Sequence, residues 1–141
     1  MKPEDCIFFQ LSKANQAGSR FLGQKVSELG ITPVQALVLG FLKDQDRITS
    51  GELGRRTELD SATLTGIIDR LEAAQLIERH GNPNDRRSIQ VHLTEKGTSL
   101  ADSAVRLIAE ANRQFMKILA DREKGELLAL IRKLREQASR G

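Results

Sequence analysis

Apolar residues recur at intervals of three and four from the start of the chain, and this spacing predicts amphipathic helices. The first run covers residues 7–29, and Gly30 closes it. Thr32 followed by Pro33 places a capping residue before a proline at the first helical position, which predicts a second helix to about Lys43.

Two more helices are predicted in the centre of the chain. Thr49 and Glu52 have the spacing of a capping box, so a short helix is expected over residues 51–57. Asp60 or Ser61 can cap a fourth helix. Its apolar residues fall at i, i+3, i+4 and i+7 and are Leu64, Ile67, Ile68 and Leu71.

The pattern then changes from helical spacing to alternation. Residues 76–80 predict one strand, and Ile89, Val91 and Leu93 alternate with polar residues in a second. Residues 81–85 are dense in turn formers, so the two strands are expected to form a hairpin with a long tip. A short extended piece is also expected around Ile48, after a polar turn.

Helical spacing returns in the last third of the chain. Thr94 opens a long helix to about Ala120, and a last helix is predicted over residues 122–137. The chain is therefore predicted to be mainly α with a small β-hairpin. Two terminal segments this apolar on a chain of 141 residues favour burial against a partner copy.

A short helix, a turn, a longer helix and a hairpin follow one another in the order of a winged helix-turn-helix. A helix that reads base edges in the major groove needs a slim side with donors and acceptors. The exposed side of the fourth helix meets that description with Ser61, Ala62, Thr63, Thr65 and Gly66. Arg70 is expected to reach a phosphate further along the helix.

The hairpin carries two adjacent arginines, Arg86 and Arg87, which we expect on the turn. An extended arginine there can enter the narrow minor groove and exploit its negative potential. Asp85 is predicted to orient the Arg87 guanidinium by a charge-assisted hydrogen bond. The wing is thus predicted to probe the minor groove.

Overall charge supports this interpretation only weakly. The net charge of the chain is +3, yet residues 50–96 hold seven Lys or Arg against eight Asp or Glu. Any DNA-binding surface must therefore be local and oriented. The content of 39% hydrophobic and 29% charged residues suits a soluble globular protein. We also find no secretory signal and no apolar run of about 18 residues, so we expect a cytoplasmic protein that does not bind membranes.

Several of these segments together resemble the MarR family of transcriptional regulators. The resemblance lies in the run from Ser61 to Glu72, in Gln75-Leu76-Ile77-Glu78-Arg79, in Asp85-Arg86-Arg87-Ser88 and in Leu93-Thr94-Glu95-Lys96-Gly97. It covers nearly the whole chain. One departure is Gln75, where the family usually has glycine, and we expect it to alter the end of the helix without altering function.

The resemblance implies a homodimer that binds a palindromic site on double-stranded DNA and is released by a small ligand. It implies an N-terminal dimerisation helix in residues 1–31, a DNA-binding region in residues 32–96 and C-terminal dimerisation helices in residues 97–141. The groove helix would be residues 61–75, and the wing pair would be Asp85 with Arg87.

The effector is expected in a crevice near the first helix. Phe8, Phe9, Phe21 and Arg20 could receive an aromatic acid there, although helix packing explains the phenylalanines equally well. One branch of the family senses hydroperoxides with a cysteine in this helix. Cys6 lies about two residues upstream of that place and the chain has no tyrosine, so a plain semi-buried thiol is favoured.

No metal site, cofactor or catalytic arrangement is predicted. His80 and His92 are expected near opposite ends of the paired strands, as ordinary histidines and not as zinc ligands. A single cysteine also excludes a cysteine-rich zinc site. There is no glycine-rich phosphate loop and no nucleophile motif. The leading hypothesis is a ligand-responsive repressor, less often an activator; the alternative is a winged-helix interaction or architectural module without a specific operator.

Overall fold

The computed structural model describes all 141 residues as six helices and a three-stranded antiparallel sheet. The elements are α1 (Ile7–Val26), α2 (Pro33–Asp44), β1 (Ile48–Thr49), α3 (Ser50–Thr57), α4 (Ser61–Ala73), β2 (Ile77–Asn82), β3 (Asp85–Leu93), α5 (Glu95–Phe115) and α6 (Asp121–Arg140). Short 3₁₀ turns precede and follow α1. The predicted class, mainly α with a small β wing, is confirmed.

The predicted boundaries of the first two helices hold. Gly30 adopts a left-handed conformation, with φ of 70°, and ends the turn that follows α1. Thr32 caps α2 through a complete capping box: its hydroxyl accepts from the Gln35 amide at 3.2 Å, and its own amide donates to the Gln35 side chain at 3.0 Å. The capping box predicted for α3 is only half formed, because Thr49 accepts from the Glu52 amide while the Glu52 carboxylate binds Arg55.

The prediction that one helix runs to about Ala120 was wrong. Helix α5 ends at Phe115, and Ala120 is instead the N-cap of α6, where its amide donates to Glu123 at 2.8 Å. Apolar spacing continues across the break through Phe115, Ile118 and Leu119, so periodicity alone hides it.

The largest core cluster joins α2, α3 and α4 to the sheet and to the start of α5. Thirteen buried residues form it, among them Leu39, Leu42, Leu53, Ile67 and Val91. A second cluster of three, Val26, Ala36 and Ala104, fastens α1 and α2 to α5. The helix-turn-helix is thus held on one side by the sheet and on the other by the long helix.

The sheet has the strand order β1-β3-β2. The extended piece at Ile48 pairs with Val91 and adds a third strand to the predicted hairpin. Strands β2 and β3 remain paired out to Asn82 and Asp85, with an irregularity at Gly81 and Asn82. The connection between them is therefore two residues long, and the predicted long tip was wrong.

Helices α1 and α6 leave much apolar surface uncovered. Helix α6 has no buried residue, although Leu127, Leu128, Leu130 and Leu134 lie along it. On α1 the exposed apolar side chains are Ile7, Phe8, Phe9 and Leu11. No single helix is long and apolar enough to cross a membrane. One pair of helices, residues 7–29 with α2, has the required length and composition when taken together, but it is bent by 72°.

Candidate DNA-binding surface

Asp60 fixes the start of α4, the helix predicted to enter the major groove. Its carboxylate accepts from the Thr63 amide at 2.8 Å and from the Thr63 hydroxyl at 2.7 Å. These hydrogen bonds stabilise the charged form and lower the pKa of Asp60. The Thr63 hydroxyl proton is consequently used inside the protein, which leaves only its oxygen as an acceptor for DNA.

The two sides of α4 are sharply different. Leu64, Ile67, Ile68 and Leu71 are buried in the core. Five of the predicted contact residues are exposed, namely Ser61, Ala62, Thr63, Thr65 and Arg70, and Gly66 is half-buried. A β-carbon at Gly66 would meet no heavy atom within 4 Å, so the protein itself does not require glycine there. The slim side faces solvent, as the sequence predicts.

The two acidic residues of α4 share one arginine of the sheet. Arg79 on β2 forms ion pairs with Asp69 and, at 2.6 Å, with Glu72. These hydrogen bonds raise the pKa of Arg79, so it stays charged throughout the working pH range. Arg70, by contrast, has no carboxylate partner. Asp69 and Glu72 are therefore held by Arg79 within the protein, whereas the guanidinium of Arg70 stays unpaired, a difference that net charge does not reveal.

The wing presents two exposed arginines, but their arrangement differs from the prediction. Arg86 and Arg87 lie in β3 rather than on the turn, so their side chains point to opposite faces of the strand. Asp85 accepts a hydrogen bond from the Arg87 amide at 2.9 Å, and no ion pair joins it to the guanidinium. Asp85 therefore holds the backbone at Arg87 and leaves the Arg87 guanidinium unpaired.

Helix α4 ends at Ala73, two residues earlier than predicted, in a Schellman motif. The Gln75 amide donates to Glu72 at 2.9 Å, and the Leu76 amide donates to Leu71 at 2.9 Å. Gln75 occupies the left-handed position, with φ of 60°, that favours glycine. The expectation that Gln75 in place of glycine alters the end of the helix was therefore wrong.

The end of α4 is fastened to the start of α5. The Thr94 hydroxyl donates to the Gln75 carbonyl at 2.7 Å, and the Lys96 ammonium donates to the Ala74 carbonyl at 3.2 Å. Thr94 also caps α5 by accepting from the Gly97 amide at 2.9 Å. A movement of α5 would therefore reach the groove helix through these bonds.

No DNA contact was predicted for α3, which lies beside the exposed side of α4. A hollow of about 420 Å³ separates α3 from α4 and is lined by Ser50, Gly51 and Arg55 beside Ser61 and Thr65. The Thr49 cap was the available signal, because a helix N-terminus presents free amides to an anion.

The four predicted effector residues are not brought together in one chain. Phe21 lines a hollow of about 220 Å³ between α1, α2 and α5 and packs against Phe115, with ring centroids 5.4 Å apart. Phe8 and Phe9 are exposed near the beginning of α1, and Arg20 is exposed on the same helix. Cys6 is half-buried, just before α1.

The two histidines are neighbours, contrary to the expectation that they lie near opposite ends of the strands. His80 is paired with Gln90, and His92 with Glu78, which places the rings on one face with centroids 4.1 Å apart. Burial and the nearby charges of His80 and Arg47 lower the pKa of His92. No group of three or more potential metal ligands forms in the chain.

Comparison with known proteins agrees with this geometry. The model of the MarR family matches residues 29–88. The transcriptional repressor NicR of Pseudomonas putida is 32% identical over 124 residues, which cover 88% of this chain and 78% of NicR. A mutant MarR from Escherichia coli, crystallised with operator DNA, shares 31% identity and a TM-score of 0.82 over 89% of this chain and 90% of the other.

A third similar protein is BpsR of Bordetella bronchiseptica, whose DNA binding is regulated by 6-hydroxynicotinic acid. It shares 27% identity and a TM-score of 0.89, with 96% of each chain covered. The match to NicR covers most of both proteins, and the structural matches include the helices outside the winged region. The chain belongs to the MarR family of winged helix-turn-helix transcriptional regulators.

Proposed function

We propose that this protein acts as a homodimeric, ligand-responsive repressor in the cytoplasm and binds a pseudo-palindromic operator, without catalytic activity. The distribution of charge around α4 carries the proposal. Four of the eight acidic side chains in residues 50–96 are ion-paired with arginines, namely Glu52, Glu58, Asp69 and Glu72, and three more, Asp60, Glu78 and Asp85, are hydrogen-bonded within the protein. Arg70, Arg86 and Arg87 are exposed and have no carboxylate partner. A polyanion approaching α4 and the wing therefore meets unpaired cations.

Each part of this surface has a proposed role. The exposed side of α4, with Ala62, Thr65 and Gly66 at its centre, reads base edges in the major groove. Arg70 binds phosphate and sets the register. Arg87 enters the minor groove, while Asp85 holds the strand and Arg86 binds the adjacent backbone. Arg55, which pairs with Glu52 in the free protein, adds a phosphate contact from α3.

The dimer is proposed on the uncovered apolar surface of α1 and α6. Burying side chains such as Phe8, Leu128 and Leu130 against a second copy stabilises the dimer by about 25 cal/mol per Å² of apolar surface removed from water. Sedimentation equilibrium should give the mass of two chains. The monomer mass at micromolar concentration would contradict the proposal.

For the effector, the proposal is a small aromatic acid, the class of 6-hydroxynicotinic acid. The hollow beside Phe21, about 220 Å³, is smaller than the roughly 300–1,000 Å³ of drug-sized pockets and suits a single ring. Phe8, Phe9 and Arg20 are proposed to complete the site in the dimer. Release of bound operator by 6-hydroxynicotinic acid, weakened in Phe21→Ala, would support this role.

The decisive experiment is binding-site selection from genomic DNA, followed by titration of variants on the selected duplex. We expect a palindrome with half-sites about 10 bp apart. Arg87→Ala should weaken binding by about tenfold or more, since such contacts contribute about 1–3 kcal/mol. Thr65→Ala should change the preferred sequence, and Arg70→Ala should weaken all sequences alike. If selection returned no enriched palindrome, an interaction or architectural module would be favoured instead.

A further inference from the structure

One ion pair joins the last turns of α6 to the turn of the helix-turn-helix. Arg135 forms an ion pair with Glu58, a residue 77 positions earlier in the chain. Glu58 ends α3 in a left-handed conformation, with φ of 57°, and Asp60, the N-cap of α4, follows two residues later. The C-terminal helix therefore ends beside the start of the helix that reads the groove.

A hollow of about 390 Å³, which we term the arginine notch, lies at this contact. Its lining is entirely charged or polar and consists of Glu58, Arg132, Arg135, Glu136, Ser139 and Arg140. Three guanidinium groups face two carboxylates, which leaves the notch positive. Arg132 and Arg140 have no carboxylate partner, so both keep donors for an external anion.

The arginine notch adjoins the surface already assigned to DNA. Glu58 lines the notch, and its neighbour Leu59 lines the hollow between α3 and α4, together with Ser61 and Thr65. The two hollows are therefore lined by adjacent residues of the helix-turn-helix turn.

The lining of the notch argues against burial in the dimer interface. The apolar side of α6 carries Leu127, Ile131 and Leu134, and the exposed Leu128 stands one turn before Arg132, whereas no lining residue of the notch itself is apolar. Ile131 and Arg132 are adjacent in sequence, so they point about 100° apart on the helix. A partner copy can cover the apolar side and Leu128 while the notch, which lies further along the helix, stays open to a polyanion.

We propose that the arginine notch binds backbone phosphates of the DNA that flanks each half-site, an inference that rests on the DNA-binding function proposed above. Arg132 and Arg140 supply the free donors. Arg135 is a positioning residue as well as a donor, because a guanidinium carries five N–H groups and can hold Glu58 and a phosphate together. The contact is independent of sequence and lengthens the protected duplex.

The test compares two duplexes with the same selected operator core. One is trimmed to the half-sites, and the other extends the core by about one helical turn, roughly 10 bp, on each side. Wild-type protein should bind the extended duplex more tightly and with a steeper dependence on salt. The double variant Arg132→Ala with Arg140→Ala should bind the extended duplex about tenfold more weakly, and the slope of log affinity against log salt should fall by about 2 or more for the dimer. Its affinity for the trimmed duplex should change little.

The matched control is Lys133→Ala combined with Arg122→Ala, which removes the same charge from α6 outside the notch. It should keep the advantage of the extended duplex. A further variant, Glu136→Gln, removes a negative charge from the notch and should tighten binding to the extended duplex alone. Thermal unfolding verifies that all variants fold.

Equal losses in the notch variant and the control would overturn the proposal, because net charge would then explain the effect. An unchanged advantage of the extended duplex in the notch variant would also overturn it. Failure of the DNA-binding function itself is a different result, since wild-type protein would then bind the trimmed operator no better than a scrambled duplex.

Discussion

The α-carbon of Gly97 lies directly against the main-chain carbonyl of Leu76. A β-carbon built on Gly97 would stand 1.8 Å from that oxygen and 2.7 Å from its carbon, far inside van der Waals contact. The same carbonyl accepts from the Thr94 amide at 3.1 Å. The first turn of α5 and the segment that follows α4 are therefore in contact through backbone atoms, which cannot move aside as a flexible side chain can.

Gly97→Ala should consequently destabilise the fold strongly. Relieving the clash requires separating α5 from the residues that follow α4, so we expect a loss of about 3 kcal/mol or more in the free energy of unfolding. Urea denaturation followed by circular dichroism measures it. Gly40→Ala is the matched control, because its β-carbon would make an ordinary contact at 3.9 Å with Val105. Point mutations destabilise proteins by about 1 kcal/mol on average. A smaller loss of unfolding free energy in Gly97→Ala would contradict the close backbone contact.

Gln75→Gly should stabilise the protein. The left-handed conformation destabilises the folded state by about 1–2 kcal/mol for a residue with a side chain such as Gln75. Glycine removes this strain, but the greater conformational entropy of glycine in the unfolded chain offsets part of the gain. We expect a net gain of about 0.5–1 kcal/mol in the free energy of unfolding. Gln75→Ala, which retains the strain, should show no such gain. Operator affinity should stay unchanged, because the Schellman motif already has the geometry that glycine would adopt.

Much of this fold could be predicted because caps and breakers stand at its boundaries. Thr32 and Gly30 mark helix ends in the sequence and do so in the structure. The end of α5 could not be predicted, since apolar spacing runs through it and its signal, Glu123 reaching back to Ala120, lies in the next helix. The wing turn was placed too broadly because Gly81 and Asn82 favour turns but are held in the strand by pairing.

The candidate site was predictable residue by residue on α4 but not in its charge pattern. Exposure of Ser61, Thr65 and Arg70 follows from helical periodicity. The ion pairs of Arg79 with Asp69 and Glu72 join residues that are up to ten positions apart on different elements, and only the docked β2 brings them together. The arginine notch likewise depends on the position of α6 beside Glu58 in the fold, which the sequence does not indicate.

Gly66→Ala should separate stability from DNA binding. A methyl group at Gly66 meets open space in the protein, and alanine favours the helix by about 0.5–1 kcal/mol, so the unfolding free energy should rise. The same methyl would stand on the side of α4 that faces the groove, and operator affinity should fall at least about fivefold. Gly125→Ala, at an open position on α6, should give the stability gain without the loss of affinity. Unchanged affinity in Gly66→Ala would exclude close approach of this residue to the bases.

Acid should lower the free energy of unfolding through His92, which lies in the β2–β3 pair. Its pKa lies below the ordinary value because burial, His80 and Arg47 disfavour the charged ring more than Asp46 and Glu78 favour it. The unfolded chain therefore binds the proton first, and unfolding becomes easier as pH falls from 7 through the ordinary histidine pKa of about 6.5. The loss should level off once the folded protein is protonated too. Chemical denaturation at a series of pH values measures this slope, and His92→Gln should flatten it between pH 7 and the lowered pKa. His80→Gln should reduce it, since one of the two repelling rings is gone; an equal slope in wild type and His92→Gln would assign the acid sensitivity to other groups.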